Sequence, residues 1–288
     1  MLFRSRLQLI SLMLPATLLL AVLTLYPISQ ILINAFSYVD YAGAERQFVG
    51  LDNFAELIDD WFFIGAVENT LVFSVMASFV QVGLGLLLAV LFDREFPVKR
   101  FALPIVIYPM MLSTLVCSAI WRAWYHYDFG FLNNALVSLG LSPVEWLFDP
   151  SLALFSVMLV DVWQWTPMSF LIILAGLQSV PADIKDAALT DGASGWRRFR
   201  YITLPLVMPQ ILLALLLRSI DTFKLFDKVY ALTGGGPGNS TSTLSLFIYK
   251  QGFKFFNLGL ASAGALMMLL IACLLSAVYA WRYVGAKS

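Results

Sequence analysis

The chain has 288 residues, of which 60% are hydrophobic and 12% charged, and its formal net charge is zero. Soluble domains are about half apolar and a quarter charged, so a mean hydropathy of +0.82 excludes an ordinary soluble domain and indicates a membrane protein. The balanced charge gives no support to a nucleic-acid partner.

Six apolar stretches are long enough to cross a bilayer as helices, which takes roughly 20 residues each. They predict an all-α, polytopic membrane protein, and we treat residues 1–288 as a single transmembrane domain. The spans are expected at about 9–35, 67–92, 101–123, 152–178, 204–223 and 257–281. The first stretch is longer than a signal-peptide core and has no small-residue cleavage site, so we expect it to remain as a span.

The distribution of lysine and arginine predicts the orientation of the spans. One side of the predicted membrane carries eleven: Arg4, Arg6, Arg94, Lys99, Arg100, Lys185, Arg197, Arg198, Arg200, Arg282 and Lys287. The other side carries five: Arg46, Lys224, Lys228, Lys250 and Lys254. Both termini and the loop at 179–203 are therefore predicted to be cytoplasmic.

Charged residues inside spans cost roughly 2.5–3.5 kcal/mol each on insertion scales, so each needs a reason. Asp161 lies in the fourth predicted span, with Trp165 and Met168 on the same helical face. Arg218 and Asp221 lie near the end of the fifth, close to Thr222. An ion pair between Arg218 and Asp221, three residues apart on one helix, is a purely structural alternative to a binding role.

A polar island separates the fourth and fifth spans, with the sequence "SVPADIKDAALTDGASGWRRFRYITLPLV" at 179–207. Ser179 and Pro181 are residues that begin helices. Gly192 can adopt the left-handed conformation that ends one, and Ser194 can cap another. The island thus predicts a short helix, a glycine turn and a second short helix. An interfacial helix that merely joins two spans fits these residues equally well.

The segment "DAALTDGASGWRRFRYITLPL" resembles the EAA loop of the membrane subunits of ATP-binding cassette importers. The matching positions are Asp186, Ala187, Ala188, Gly192, Ile202, Leu204 and Pro205. Asp186 stands where the family usually has glutamate, a longer carboxylate. The segments "DVWQWTPMSFLIILAGLQSVP", "FDKVYALTGGGPGNST" and "NLGLASAG" are similar to the maltose-type, carbohydrate-uptake branch of these permeases, with a MetI-like core.

The resemblance implies that the island is a coupling helix, which docks into a groove on a cytoplasmic ATPase. The residues implied in this coupling are Asp186, Ala187, Ala188, Gly192 and Ala193. It also implies a bacterial inner-membrane assembly with a second homologous permease, two ATPases that hold ATP and Mg²⁺, and an extracytoplasmic solute-binding protein. This chain would hold no cofactor or metal and would catalyse no reaction.

The resemblance further implies a substrate path along the fourth and fifth spans. The residues expected there are Asp161, Trp165, Met168, Arg218, Asp221 and Thr222. The solute would be a sugar, polyol, sugar acid, sulfonated sugar or glycerophosphate. The glycine-rich "LTGGGPGNST" would lie outside the membrane where the binding protein docks, although a plain turn is an equal alternative.

Two other classes of function remain as alternatives. An ion-coupled secondary transporter would favour inverted repeats and spans broken at the midplane, and no convincing repeat is visible. An intramembrane enzyme acting on lipid-linked sugars would need a compact group of acids or histidines near one interface, and Asp161 alone is insufficient.

Overall fold

The structure is a computed structural model that describes residues 2–39, 46–94, 96–181, 183–184, 190, 192 and 194–285. The helices in this part are α1 (Leu2–Ala35), α2 (Asp52–Asp59), α3 (Trp61–Phe92), α4 (Lys99–Met111), α5 (Thr114–Trp124), α6 (Phe131–Ser138), α7 (Ala153–Gln178), α8 (Gly195–Arg198), α9 (Leu204–Phe223), α10 (Asp227–Leu232), α11 (Leu244–Tyr249) and α12 (Leu258–Gly285). π-Helical turns cover Phe199–Thr203 and Lys250–Lys254, and the strands are β1 (Ser37–Val39) and β2 (Arg46–Phe48).

Five of the six predicted spans are confirmed as helices long and apolar enough to cross a membrane. They are Leu12–Ala35, Trp61–Phe92, Ala153–Gln178, Gly195–Phe223 and Leu258–Ala277. Of these five, α7 is the most enclosed, because 67% of its apolar 18-residue stretch is buried.

The third predicted span is two helices, because α4 and α5 meet at a bend of 100°. The α-helical run ends at Leu112, whose backbone is extended, and Ser113 then caps α5 by accepting a hydrogen bond from Val116 N–H. Pro109 in the last turn of α4 has no amide hydrogen to donate. The bend leaves backbone groups without helical partners, and Gln164 of α7 donates from Nε2 to Leu112 O at 2.9 Å.

Packing divides the chain into two compact units, and the first comprises residues 1–64 and 247–271. In it, β1 and β2 form an antiparallel hairpin in which Tyr38 pairs with Gln47. Asn53 of α2 is buried and donates from Nδ2 to Ala35 O at 2.9 Å and Ser37 O at 3.0 Å. This amide satisfies the carbonyl at the end of α1, where no helical donor follows.

The second unit comprises residues 65–246 and 272–288. Its apolar core lies where α7 packs between α4 and α9, with Phe92 of α3 set edge-on to Phe170 at a centroid distance of 5.2 Å. The helices α3 and α7 touch at Gly85, where a Cβ would lie 2.8 Å from Phe170 N. Because that atom is backbone, a side chain at Gly85 would force the two helices apart.

The helix of the fifth span begins nine residues before the predicted start at 204. Ser194 caps α8 as predicted, accepting from Arg197 N–H. The helix then continues through the π-helical turn Phe199–Thr203 into α9, so the second short helix of the island is not separate from the span. Pro205, in the first turn of α9, has no amide hydrogen to donate to the preceding π-helical turn.

Candidate functional site

Asp161 lies on α7, and only 2% of its side chain is exposed. Gln81 of α3 donates a hydrogen bond of 2.7 Å from Nε2 to Asp161 Oδ2. Lys228 of α10 binds the other carboxylate oxygen, Oδ1, through Nζ. Arg218 of α9 reaches Oδ2 with Nη2 at 3.5 Å. Four helices thus meet at one carboxylate, and we call Gln81, Asp161, Arg218 and Lys228 the buried cluster.

Arg218 uses its whole guanidinium inside the protein. Its Nε donates to Gln81 Oε1 at 2.7 Å, and its Nη1 donates to Asp221 Oδ2 at 3.4 Å. Its Cζ lies 5.1 Å from the centroid of the Trp165 ring, within the range of a cation–π contact. Gln81 accepts from Arg218 and donates to Asp161, so both ends of its amide are fixed by charged partners.

The charges of the buried cluster are costly to remove from water, because an ion in a low-dielectric interior loses several kcal/mol even after relaxation. Lys228 has 1% of its side chain exposed, so Asp161 must compensate its charge. Asp221, at the edge, supplies a second carboxylate, and the formal charges of Asp161, Asp221, Arg218 and Lys228 sum to zero. Among the described residues, no three His, Cys, Asp or Glu side chains are grouped as metal ligands.

A second polar contact joins α9 to α3 one turn after Arg218. Thr222 is buried, and its Oγ1 lies 3.1 Å from Ser74 Oγ and 3.0 Å from Ser78 Oγ. Both distances are within hydrogen-bonding range, so the Thr222 hydroxyl contacts two serines of α3 across the helix interface. Thr222 therefore holds two helices together and does not face open space.

The structure separates the six predicted path residues into two groups. Asp161, Arg218 and Thr222 are buried inside the chain. Asp221 is exposed, and Trp165 and Met168 are half-buried. Asp161, Arg218, Trp165 and Asp221 are brought together around the buried cluster, and the suggested ion pair between Arg218 and Asp221 is present at 3.4 Å.

Two members of the buried cluster were missed by sequence reasoning. Gln81 lies in the second predicted span, where a polar amide inside an apolar stretch is the sequence signal for such a role. Lys228 enters the sequence analysis only as a positive charge of an outer loop, and the structure shows its ammonium buried against Asp161. Its partner lies 67 residues earlier, so no local pattern reveals the pair.

The predicted coupling residues lie mostly outside the described residues. Those outside are Asp186, Ala187, Ala188 and Ala193. Gly192 is described, and its φ of +71° lies in the left-handed region that the predicted glycine turn requires. Among the described residues, no atom lies within 4 Å of where its Cβ would be, and the positive φ by itself favours glycine there.

The glycine-rich segment after α10 has a defined backbone. Gly234, Gly235, Gly238 and Asn239 all have positive φ. Thr233 Oγ1 accepts from Gly235 N–H at 3.2 Å. A cavity of about 370 Å³ adjoins this segment, with a wall that combines apolar, aromatic and backbone groups with one guanidinium. The lining residues include Arg122, Leu147, Phe148, Tyr230, Thr233 and Gly234.

Comparison with known families identifies the protein class. Residues 81–282 match the family model of the binding-protein-dependent transport system inner membrane component. The chain belongs to this family. It is a permease, a transport subunit of ATP-binding cassette importers, whose ATPase activity resides in a separate subunit.

Curated relatives resemble the permease over most of its length. It is 38% identical over 242 residues to the trehalose/maltose transport system permease protein MalF of Thermococcus litoralis, covering 84% of this chain and 81% of that protein. It is 34% identical over 280 residues to the sulfoquinovosyl glycerol transport system permease protein SmoG of Agrobacterium fabrum, covering 96% and 90%.

Solved structures show the same fold as the permease. A chain of a bacterial ABC transporter involved in the import of the acidic polysaccharide alginate superposes with a TM-score of 0.86 at 23% identity, covering 96% of each chain. The predicted all-α, polytopic fold class is therefore confirmed for the permease, with five candidate spans in the described residues, or six if the bent pair is one span.

Proposed function

We propose that this permease imports a carbohydrate or sugar-like solute as one transmembrane domain, residues 1–288, of a binding-protein-dependent importer. Its partners would be a second related permease, two ATPases that hold ATP and Mg²⁺, and an extracytoplasmic solute-binding protein. The 38% identity to a trehalose/maltose permease across 84% of this chain carries the solute class. The range to be tested includes neutral sugars, polyols, sugar acids, sulfonated sugars and glycerophosphate.

The exposed and buried residues around the buried cluster would have different roles in the path. Trp165, Met168 and Asp221 have accessible surface, so they are the residues that a solute would touch. A tryptophan ring covers the C–H face of a sugar, and a carboxylate accepts hydrogen bonds from its hydroxyls. Asp161 and Arg218 are buried, and they would hold the Trp165 ring and the Asp221 carboxylate in place.

The loop at 179–203 would couple this path to the ATPases. We propose that Asp186, Ala187, Ala188, Gly192 and Ala193 dock on a cytoplasmic ATPase. The left-handed turn at Gly192 and the continuous helix Gly195–Phe223 support this role. A docked loop that leads directly into a long helix transmits a rigid-body displacement to the residues at its far end.

We also propose that both termini are cytoplasmic, in a bacterial inner membrane. The excess of lysine and arginine on the side of the termini, eleven against five, supports this orientation.

The experiment that tests the proposed function is affinity purification of the permease from its native membranes, with a Gly192→Asp variant and a matched Gly195→Asp control. We expect the wild type and the control to retain an ATPase and a second permease. Gly195 begins a helix, where a carboxylate is favourable, whereas Gly192 has a positive φ that aspartate disfavours. The Gly192→Asp variant should lose the ATPase and keep the second permease.

The purified assembly, reconstituted in lipid vesicles with its binding protein, then identifies the solute. Uptake of a sugar-like compound that depends on internal ATP would support the proposal. Uptake driven by an ion gradient without any ATPase would contradict it and favour the secondary transporter.

A further inference from the structure

The segment 227–243, which contains α10 and the glycine-rich loop, is bonded within itself. Thr233 Oγ1 lies 2.7 Å from Thr241 Oγ1, and Thr241 donates to Gly236 O at 2.8 Å. Thr243 donates from Oγ1 to Leu225 O at 2.8 Å, which ties the last residue of the segment to the chain just before its first residue. Because these bonds cross-link the loop and close it at its base, the segment should move as one body.

The far end of segment 227–243 is held by α3. Asn69 donates from Nδ2 to Ser242 O at 3.0 Å, and Thr70 Oγ1 accepts from Leu244 N–H at 2.8 Å. Thr70 is buried, with 1% exposure, so the second of these bonds is shielded from competing water. The far end is thus fixed by neutral hydrogen bonds.

The near end of the same segment is held by charge. Lys228 binds Asp161 of α7, and Lys228 Nζ also lies 5.9 Å from the centroid of the Trp165 ring. A buried ion pair rarely stabilises a protein more than apolar residues of similar volume would, so stability alone does not account for a lysine here. What the pair provides is a fixed connection between α10 and the face of α7 that carries Trp165.

The cavity of about 370 Å³ lies along the same segment and is bounded by α10 and the glycine-rich loop on one side. Arg122 of α5 donates from Nη1 to Ala231 O at 3.4 Å and lines it. The segment follows the fifth span, so it lies on the opposite side of the membrane from the loop at 179–203. A partner that binds on that side would therefore press on a rigid segment whose near end is Lys228.

We propose that Lys228 is a positioning residue for transport. When the binding protein contacts segment 227–243, the bond from Lys228 to Asp161 transmits the displacement of the segment to the face of α7 that carries Trp165. This inference rests on the proposed function, since it requires a binding protein and an ATPase. Lys228 touches no solute in this scheme. It holds α7 and the segment at a fixed relative position, so that a displacement of one also displaces the other.

The test uses the complete assembly in lipid vesicles and measures ATPase activity against binding-protein concentration, with and without solute. For Lys228→Met we expect basal ATPase within about twofold of the wild type and binding-protein stimulation reduced by about tenfold or more, a normal size for coupling between sites. Lys228→Arg keeps the charge and should restore most of the stimulation. Lys224→Met is the matched control, because Lys224 is 58% exposed and lies four residues away.

A double variant shows whether Lys228 and Asp161 act through the bond between them or independently of each other. If the bond itself matters, Asp161→Asn with Lys228→Met should lose no more stimulation than the more affected single variant, because both remove the same contact. Additive losses, or normal stimulation of Lys228→Met, would overturn the inference. So would failure of all these replacements to assemble, because the bond would then serve folding.

Failure of the proposed function gives a different result. If the wild-type assembly shows no stimulation by any binding protein, the proposed function is overturned and this inference with it. A normally stimulated wild type with an equally stimulated Lys228→Met variant overturns the inference alone.

Discussion

Arg218 near the end of α9 and Lys224, the residue that follows this helix, are two cations that differ in burial. Arg218 has 2% of its side chain exposed and Lys224 has 58%, yet both contact the carboxylate of Asp221 at 3.4 Å. The ionic chemistry and the distances are alike, and the surroundings differ. Water can replace a lost partner for Lys224, whereas a lost partner for Arg218 leaves a charge with nothing to solvate it.

This difference shows that the spacing of charges along a helix does not determine their energetic importance. A pattern of charges every three residues treats Arg218, Asp221 and Lys224 alike. Burial by α3 and α7 separates them, because Gln81 and Asp161 enclose only the first. Replacing a buried charge should therefore lower the free energy of unfolding by several kcal/mol more than replacing an exposed one.

The replacement with the largest expected effect is Asp161→Asn. It leaves Arg218 and Lys228 buried without a carboxylate between them, and we expect a loss of about 3–5 kcal/mol in the free energy of unfolding. Thermal unfolding of the purified permease in detergent measures it. Asp227→Asn removes an exposed carboxylate next to Lys228 and serves as control. An unchanged melting temperature for Asp161→Asn would show that Arg218 and Lys228 do not depend on this carboxylate to compensate their charges.

Gln81→Leu should have the next largest effect. The leucine removes the 2.7 Å donor to Asp161 and the 2.7 Å acceptor of Arg218 but keeps all charges. We expect a loss of about 1–3 kcal/mol, because charged groups lose neutral partners that no water replaces. The same unfolding measurement applies. A loss as large as that of Asp161→Asn would mean that the amide, and not the ion pairs, organises the buried cluster.

A smaller loss is expected for Thr222→Val, which keeps the shape of the side chain and removes its hydroxyl. The bonds with Ser74 and Ser78 are between neutral groups, so about 1 kcal/mol should be lost. Combining it with Ser74→Ala gives a double-mutant cycle, and the two losses should not add, since the residues share one contact. Full additivity would place the two hydroxyls in separate interactions.

Lys224→Met should change stability least, by no more than about 1 kcal/mol, because its pair with Asp221 is solvent-exposed. Any effect should decrease further as salt is raised from low ionic strength to about 1 M, since mobile ions screen exposed charges. The buried cluster should be insensitive to the same change. An effect of Lys224→Met that is as large at about 1 M salt as at low ionic strength would contradict this assignment.

The features that could be predicted from sequence depend on neighbours along the chain. Gly192 and Ser194 have the turn and cap conformations expected of them, because these follow from local backbone chemistry. Five spans follow from length and apolar composition alone. The bend at Leu112 does not, since apolar residues continue on both sides of it and composition does not register an extended backbone.

The features that could not be predicted depend on distant residues. Lys228 is recognisable as buried only when Asp161 is known to lie beside it, and the two are 67 residues apart. From sequence, Arg218 fits both an ion pair with Asp221 and a place in the substrate path. In the structure it has Asp221, Asp161 and Gln81 as partners at once, which neither alternative described.

The bend between α4 and α5 has a consequence for the biogenesis of the permease. Leu112 is synthesised 52 residues before Gln164, the residue whose amide later satisfies its carbonyl. With 13 and 11 residues, α4 and α5 are each about 20 Å long or less, short of the roughly 30 Å that the hydrocarbon core demands. The corner can therefore be completed only after α7 has been synthesised and packs against it, so this segment matures out of the order in which the ribosome delivers it.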